Sequence, residues 1–256
     1  VIAFTYVYNE QDILPWTLKA MLRQGVRLHV IDNWSTDSTR MVLCEVCPVG
    51  TVLERWPHEA PPKWFDLDSI LHRIEAIHAE HEPEWALLFG ADEVMVSCWP
   101  DVPLNVALER VRSEGYNAVN FRSFSFHPVD NDWTPDKDPE AHFQYYTPGR
   151  RDNIRAWFSD GKPITILDGT HDLQFEGIRV YPLNFAIKHY SFRTQAQAER
   201  KVFEERRPRY HPANRAKGWH GHYDHIQPGY SFIKDPRGLR HYDPATFFDE
   251  LQERPA

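Results

Sequence analysis

Three short stretches of the chain combine residue types that suit nucleotide chemistry. Thr5-Tyr6-Val7-Tyr8-Asn9-Glu10 sets aromatic rings beside an amide and a carboxylate. Asp32-Asn33-Trp34-Ser35-Thr36-Asp37 offers acids, an amide and hydroxyls, and Ala91-Asp92-Glu93 is an acidic pair. An aromatic ring stacks on a base, Asp or Asn hydrogen-bonds base or ribose, and a carboxylate holds a divalent cation on a diphosphate. Singly, each stretch has a plainer explanation: Asn-Glu and Ser-Thr-Asp cap helices, and an acidic pair after a strand is often a solvated turn. Their order and spacing carry the weight.

These residues need elements to position them. Residues 1–8 form an apolar and aromatic run of strand length. From Asp12 onward, Leu14, Leu18, Met21 and Leu22 recur at helical spacing, and Gly25 stands where a C-terminal cap belongs. Residues 28–32 read as the next strand, Ser35-Thr36-Asp37 as a helix start, and residues 51–56 as a third strand. Ile70, Leu71, Ile74, Ile77, His78 and His81 trace one helical face, and residues 85–89 are a continuous apolar strand. Four alternations of strand and helix predict a mostly parallel sheet with helices on both faces, where ligands collect beyond the carboxyl ends of the strands. Residues 103–114 predict a further helix closed by Gly115. Beyond it, residues 118–126 and 185–192 read as strands, 130–146 as polar and irregular, and Thr194-Gln195-Ala196-Gln197 opens a charged helix to about Arg207. The prolines mark no linker, so one domain over residues 1–256 is expected.

Composition narrows the classes. With 29 Lys and Arg against 37 Asp and Glu among 256 residues, the net charge of −8 argues against a nucleic-acid binder. The balance is uneven: residues 188–240 carry +7 and residues 1–187 carry −12. No apolar run approaches the ~18 residues of a membrane span. Cys44, Cys47 and Cys98 cannot all pair, and residues 1–4 lack the basic region of a secretory leader. A cytoplasmic location, at most peripheral to a membrane, is expected.

Tyr8-Asn9-Glu10 with Asp12-Ile13-Leu14-Pro15, Val30-Ile31-Asp32-Asn33-Trp34-Ser35-Thr36-Asp37 and Gly90-Ala91-Asp92-Glu93 together resemble the family 2 glycosyltransferases of the GT-A fold. The resemblance extends through Gly169-Thr170-His171, Lys188-His189-Tyr190, Arg193 and Glu199-Arg200-Lys201, as in a bacterial branch of that family. It implies a GT-A-like, Rossmann-like domain with a C-terminal helical and loop extension. Residues 1–115 would form a nucleotide-binding half and residues 116–256 an acceptor-binding half. It further implies inverting transfer of a sugar from a nucleotide-diphosphate donor, with UDP the default base, to an acceptor hydroxyl.

On that resemblance Tyr8, Asn9 and Glu10 lie at the nucleoside, Asp32 and Asn33 read base or ribose, and Asp92 ligates Mn²⁺ or Mg²⁺. Gly90 stands where the first Asp of the motif usually falls, which leaves Glu93 to share the task. A late histidine completes the metal shell, His189 first and His171 second. Arg193 and Lys201 are placed to meet the charge of the leaving diphosphate. A carboxylate must deprotonate the acceptor; Asp172 is the first candidate, with Asp168 and Glu176 as rivals. The basic segment suits an anionic or lipid-linked acceptor.

Other chemistry is weaker. Cys44-Glu45-Val46-Cys47 has no second pair for a zinc site. His220-Gly221-His222-Tyr223-Asp224-His225 has transition-metal spacing, but its glycines and aromatic residues read better as a flexible lid. A non-catalytic glycan- or partner-binding module, motivated by Gly90, is the alternative function.

Overall fold

The computed structural model describes residues 1–80, 84–167, 172–216 and 221–252. Strand β1 (Ile2–Val7) leads into helix α1 (Leu14–Arg23), then β2 (Arg27–Asp32), α2 (Thr39–Val46), β3 (Val52–Arg55), α3 (Leu67–Glu80), β4 (Ala86–Leu88), β5 (Glu93–Val96) and α4 (Leu104–Ser113). There follow β6 (Ala118–His127), α5 (Pro139–His142), β7 (Tyr145–Trp157), β8 (Thr165–Leu167), β9 (Asp172–Gln174), β10 (Phe185–His189) and α6 (Gln195–Glu199). The chain ends its described course with α7 (Pro212–Ala216), β11 (Arg240–His241) and α8 (Phe247–Gln252). Between α6 and α7 it winds through a wide i→i+5 helical turn, Arg200–Arg206, and a 3-10 turn, Arg207–Arg209.

The main sheet runs β3-β2-β1-β4-β7-β6-β10-β5, with β11 paired to β7. Strands β3, β2, β1 and β4 are parallel. Strand β7 is antiparallel to both β4 and β6, and β5 is antiparallel to β10. The fold is thus the expected α/β class, with a mostly parallel sheet flanked by helices. The order 3-2-1-4 at one end is that of a dinucleotide-binding half, in which the winding reverses between β1 and β4. One apolar core holds Leu14, Leu18, Met21 and Leu43 from α1 and α2. The other holds Ile70, Leu71, Ile74 and Ile77 from α3 with Ile166 and Leu173 from the β8–β9 pair.

Register decides what the strand ends can do. Val7 pairs with Asp32 and Phe4 with Leu88, so the residues after β1, β2 and β4 emerge at one sheet edge. Helix α1 fixes the depth of that edge, because Thr17 Oγ1 donates to the Ala91 carbonyl at 2.7 Å. It stops at Gly25, whose φ of +73° suits glycine. A Cβ there would lie 2.4 Å from the Asn105 side chain, so close packing also demands the glycine.

The later half departs from expectation. There β7, β8, β9 and β11 lie outside the expected strands, as β5 does in the first half, and β7 overlaps the end of the segment read as irregular. Its Pro148-Gly149-Arg150-Arg151-Asp152 stretch breaks the apolar alternation that marks a strand. Gly149 explains how it still pairs: a Cβ there would come within 2.7 Å of the Ser123 carbonyl oxygen, beside a register shift in β6. The charged helix expected to run regularly to Arg207 is α-helical only to Glu199 before it widens.

Candidate functional site at the strand ends

The turns after β1 and β2 are stapled together. Asn9 adopts a left-handed φ of 55°, a conformation Asn tolerates better than most residues. Its Oδ1 accepts from Thr36 N at 2.8 Å and its own N–H donates to Ser35 Oγ at 3.1 Å. Glu10 N–H donates to Thr39 Oγ1 at 2.9 Å. Asp32 is fully buried, accepting from Ser35 N at 2.8 Å and from Arg55 Nε at 3.2 Å. Asn33 donates through Nδ2 to the Trp56 carbonyl at 2.8 Å and accepts at Oδ1 from Arg209 Nη2 at 2.7 Å. The same guanidinium lies 3.5 Å from the centroid of the Tyr8 ring. The residues expected to read the base are therefore gathered, and Arg209 covers Asn33 and Tyr8.

Behind them lies a dense ion network. Glu10, 1% exposed, receives Lys201 Nζ at 2.8 Å and Arg206 Nη2 at 2.7 Å on Oε1, and Arg193 Nη2 at 2.9 Å on Oε2. Arg193, wholly buried, also grips Asp12 through two bonds of 2.8 and 3.1 Å. Lys201 bridges on to Asp92 Oδ2 at 2.7 Å, and His189 Nε2 stands 3.4 Å from Asp92 Oδ1. Strand pairing puts the histidine there: His189 is opposite Glu93 in the β10–β5 register, and Tyr190 N–H donates to the Asp92 carbonyl at 2.9 Å.

Burial opposes ionisation of Asp92, but the charges of Lys201, His189 and Arg193 prevail and hold its carboxyl well below the usual carboxylate range. For His189 burial disfavours the imidazolium, and Asp92 outweighs it, raising the pKa. Lys201 is likewise pushed down by burial and pushed up further by Asp92 and Glu10. In each case the charged form is favoured by the neighbouring charges.

Among the described residues, the expected donor set does not fit a divalent ion. Asp92 is engaged by an ammonium. Glu93 turns back, accepting from Gly90 N at 2.5 Å with Arg155 Nη2 3.5 Å from its other oxygen. Gly90 offers no side chain, and a Cβ there would meet Glu93 Cδ at 3.0 Å and Asp92 Oδ1 at 3.2 Å. Among the described residues no group of three His, Cys, Asp or Glu is arranged to hold a metal.

Of the expected residues, Tyr8, Asn9, Glu10, Asp32, Asn33, Asp92, Glu93, His189, Arg193 and Lys201 come together at this edge. Asp172 is exposed on β9, its carboxylate accepting from Leu173 N at 2.8 Å, and stands outside the ion network. Asp168, His171 and His220 lie outside the described residues, as does the side chain of His222. Arg206 and Arg209 were not singled out, although they belong to the basic segment; Arg155 falls in the unanticipated β7.

No family model matches the chain. No curated protein matches it either. Among solved structures it is similar to TarS of S. aureus: 9% identity, TM-score 0.42, covering 74% of this chain and 60% of that one. TarS in complex with UDP gives 13% identity and a TM-score of 0.34, covering 52% and 37%. Mannosyltransferase PcManGT from Pyrobaculum calidifontis, in complex with GDP-Man and Mn²⁺, gives 17% identity and 0.33, covering 50% and 35%. This chain thus spans 60% or less of these chains. At such likeness the functional reading rests on this chain's own side chains.

Proposed function

We propose that the edge between β1 and β4 binds a nucleotide-diphosphate sugar, and that the chain is an inverting, family 2-like glycosyltransferase of GT-A-like fold. One observation carries the reading: the corners at Asn9-Glu10, Asn33 and Asp92 meet where the sheet reverses its winding, the place where ligands of open α/β sheets bind. The nucleoside would lie between Tyr8 and Asn33, displacing the Arg209 side chain from both. Its diphosphate would meet Lys201 and Arg206.

In the transfer the acceptor oxygen attacks the anomeric carbon while the bond from that carbon to the β-phosphate oxygen breaks. A carboxylate takes the acceptor proton, and the nucleoside diphosphate leaves with the bonding pair. The base is proposed as Asp172 or Asp168, at the two ends of the segment joining β9 to β8. Leu173 packs in one cluster with Ile154 and Tyr6, and the Tyr6 hydroxyl feels the charges of Arg155, Glu93, Arg206 and Asp92. Leu173 of β9 thus shares an apolar cluster with Tyr6 of β1, while Asp172 beside it is exposed. Cations at the leaving diphosphate supply the electrostatic part of the catalysis. The excess positive charge of residues 188–240 suits an anionic or lipid-linked acceptor.

Titration of UDP and GDP by calorimetry tests the binding step. At least one is expected to bind, and Tyr8→Ala to weaken it about tenfold by removing a base-stacking ring. Absence of binding by every nucleoside diphosphate would overturn the reading. A second reading, a non-catalytic binding module, is favoured by Gly90 and by carboxylates already satisfied within the protein. Slow hydrolysis of a donor sugar by the purified protein would exclude it.

A further inference from the structure

We propose that the Lys201 ammonium occupies the cation position of this site, so that nucleoside diphosphates bind here without a divalent metal ion. The proposal rests on the nucleotide-binding reading above and names how that site neutralises its ligand.

Lys201 Nζ has three oxygen partners: Asp92 Oδ2 at 2.7 Å, Glu10 Oε1 at 2.8 Å and the Ser191 carbonyl at 3.2 Å. These partners match the three donors of an ammonium, and they are the oxygen ligands a hard cation would take. They come from three separate parts of the chain, so the nest forms only when β1, the β4–β5 loop and the C-terminal segment converge.

The rest of the edge is adapted to the same end. The motif's own first acidic residue is missing because residue 90 is glycine, and the space its side chain would enter is filled by Glu93. Glu93 in turn is committed to the Gly90 N–H and faces Arg155. A metal ion on Asp92 would also lie against the buried ammonium, where two like charges repel strongly at low effective dielectric.

The wide turn Arg200–Arg206 shows how the second cation is recruited. In a 3.6-residue helix, positions five apart face roughly 140° away from each other. In an i→i+5 turn they stack on one face. Lys201 and Arg206 are five apart, and both reach Glu10 Oε1. Widening the helix is what lets two cations of one segment share one carboxylate. A diphosphate bound over them would meet both positive charges and take one Lys201 donor in exchange for a present partner, with the ammonium in the metal's place.

Two measurements on the full chain test this. Binding of UDP and GDP is titrated in EDTA and again with Mn²⁺, and uptake of Mn²⁺ alone is followed by the loss of the free-ion EPR signal. The proposal expects affinities in EDTA and in Mn²⁺ equal within about twofold, no Mn²⁺ uptake by the wild type, and at least about a tenfold loss of EDTA binding in Lys201→Ala. Lys201→Ala frees the Asp92 carboxylate and is expected to regain part of that binding in Mn²⁺, whereas Lys201→Arg stays metal-independent. Nucleotide binding that requires Mn²⁺, or stoichiometric Mn²⁺ uptake by the wild type, overturns the proposal. If no nucleotide binds under either condition, the functional reading fails, and Mn²⁺ uptake by the wild type alone decides who holds the cation position. The wild-type arms stand even if Lys201→Ala does not fold.

Discussion

Two charged clusters in this molecule solve the same problem differently. Glu54 on β3 sits between His29 of β2, at 3.1 Å, and Arg73 of α3, at 3.0 Å, with Arg73 stacked 5.3 Å above the Trp56 ring. Those partners are 25 and 19 residues away in sequence. Glu10 draws Arg193 and Arg206 from 183 and 196 residues away. The Glu54 cluster braces two strands and a helix at a partly wetted edge. The Glu10 cluster closes the C-terminal segment over the strand ends and desolvates at least six charged groups. Burying that many charges is a poor route to stability, which fits a site kept for what it binds.

Breaking the distant cluster should cost most. Arg193→Ala leaves the Glu10 and Asp12 carboxylates without their shared guanidinium, and a loss of about 3–5 kcal/mol in urea unfolding is expected for such a breach. A loss under about 1 kcal/mol would mean that the network is no more tightly coupled than a surface pair. Arg73→Ala should cost about 1–3 kcal/mol, the range of a hydrogen bond to a charged group, since His29 remains on Glu54. A larger loss than in Arg193→Ala would invert the comparison.

Acidity separates the clusters further. Burial raises the Glu54 pKa, but the bonds from His29 and Arg73 prevail and lower it to about 2. Its contribution is therefore present above the ordinary value near 4.5 and lost as pH falls toward 2. His189 has the opposite sign: with its pKa raised, its contribution is complete below about pH 6.5 and fades as pH rises through the folded value. Melting temperature against pH should accordingly lose its alkaline-side decline in His189→Gln and keep its acid limb; an unchanged alkaline side would remove His189 from the network. The smallest effect belongs to the exposed Asp235–Arg237 pair. Asp235→Asn should leave the melting temperature unchanged, because solvent screens such pairs, and a measurable drop would show that surface pairs matter here too.

What the sequence revealed follows the same division. The β1, β2 and β4 strands and helices α1 to α4 were legible because apolar spacing and caps are local signals. The gathering of Asn9, Asn33 and Asp92 followed from them, since parallel strands in register must end at one edge. Strand β7 was not legible, because it pairs through a glycine and a register shift rather than through alternating apolar residues. Lys201 was expected at a diphosphate, but nothing local shows that it sits on Asp92. That contact joins residues 109 apart in sequence, and Arg206 comes to Lys201's face only through the widened turn Arg200–Arg206, a departure with no sequence code. Arg206 and Arg209 left only a charge imbalance as their trace.

On the proposed function, one ligand bridges the three strand ends under the basic segment. Hydrogen–deuterium exchange with and without a bound nucleoside diphosphate tests it most directly. Residues 8–10, 33–37, 90–93 and 200–209 are expected to change protection together, while the Glu54 cluster does not. Changes confined to other surfaces, or absent from residues 90–93 and 200–209, would contradict it.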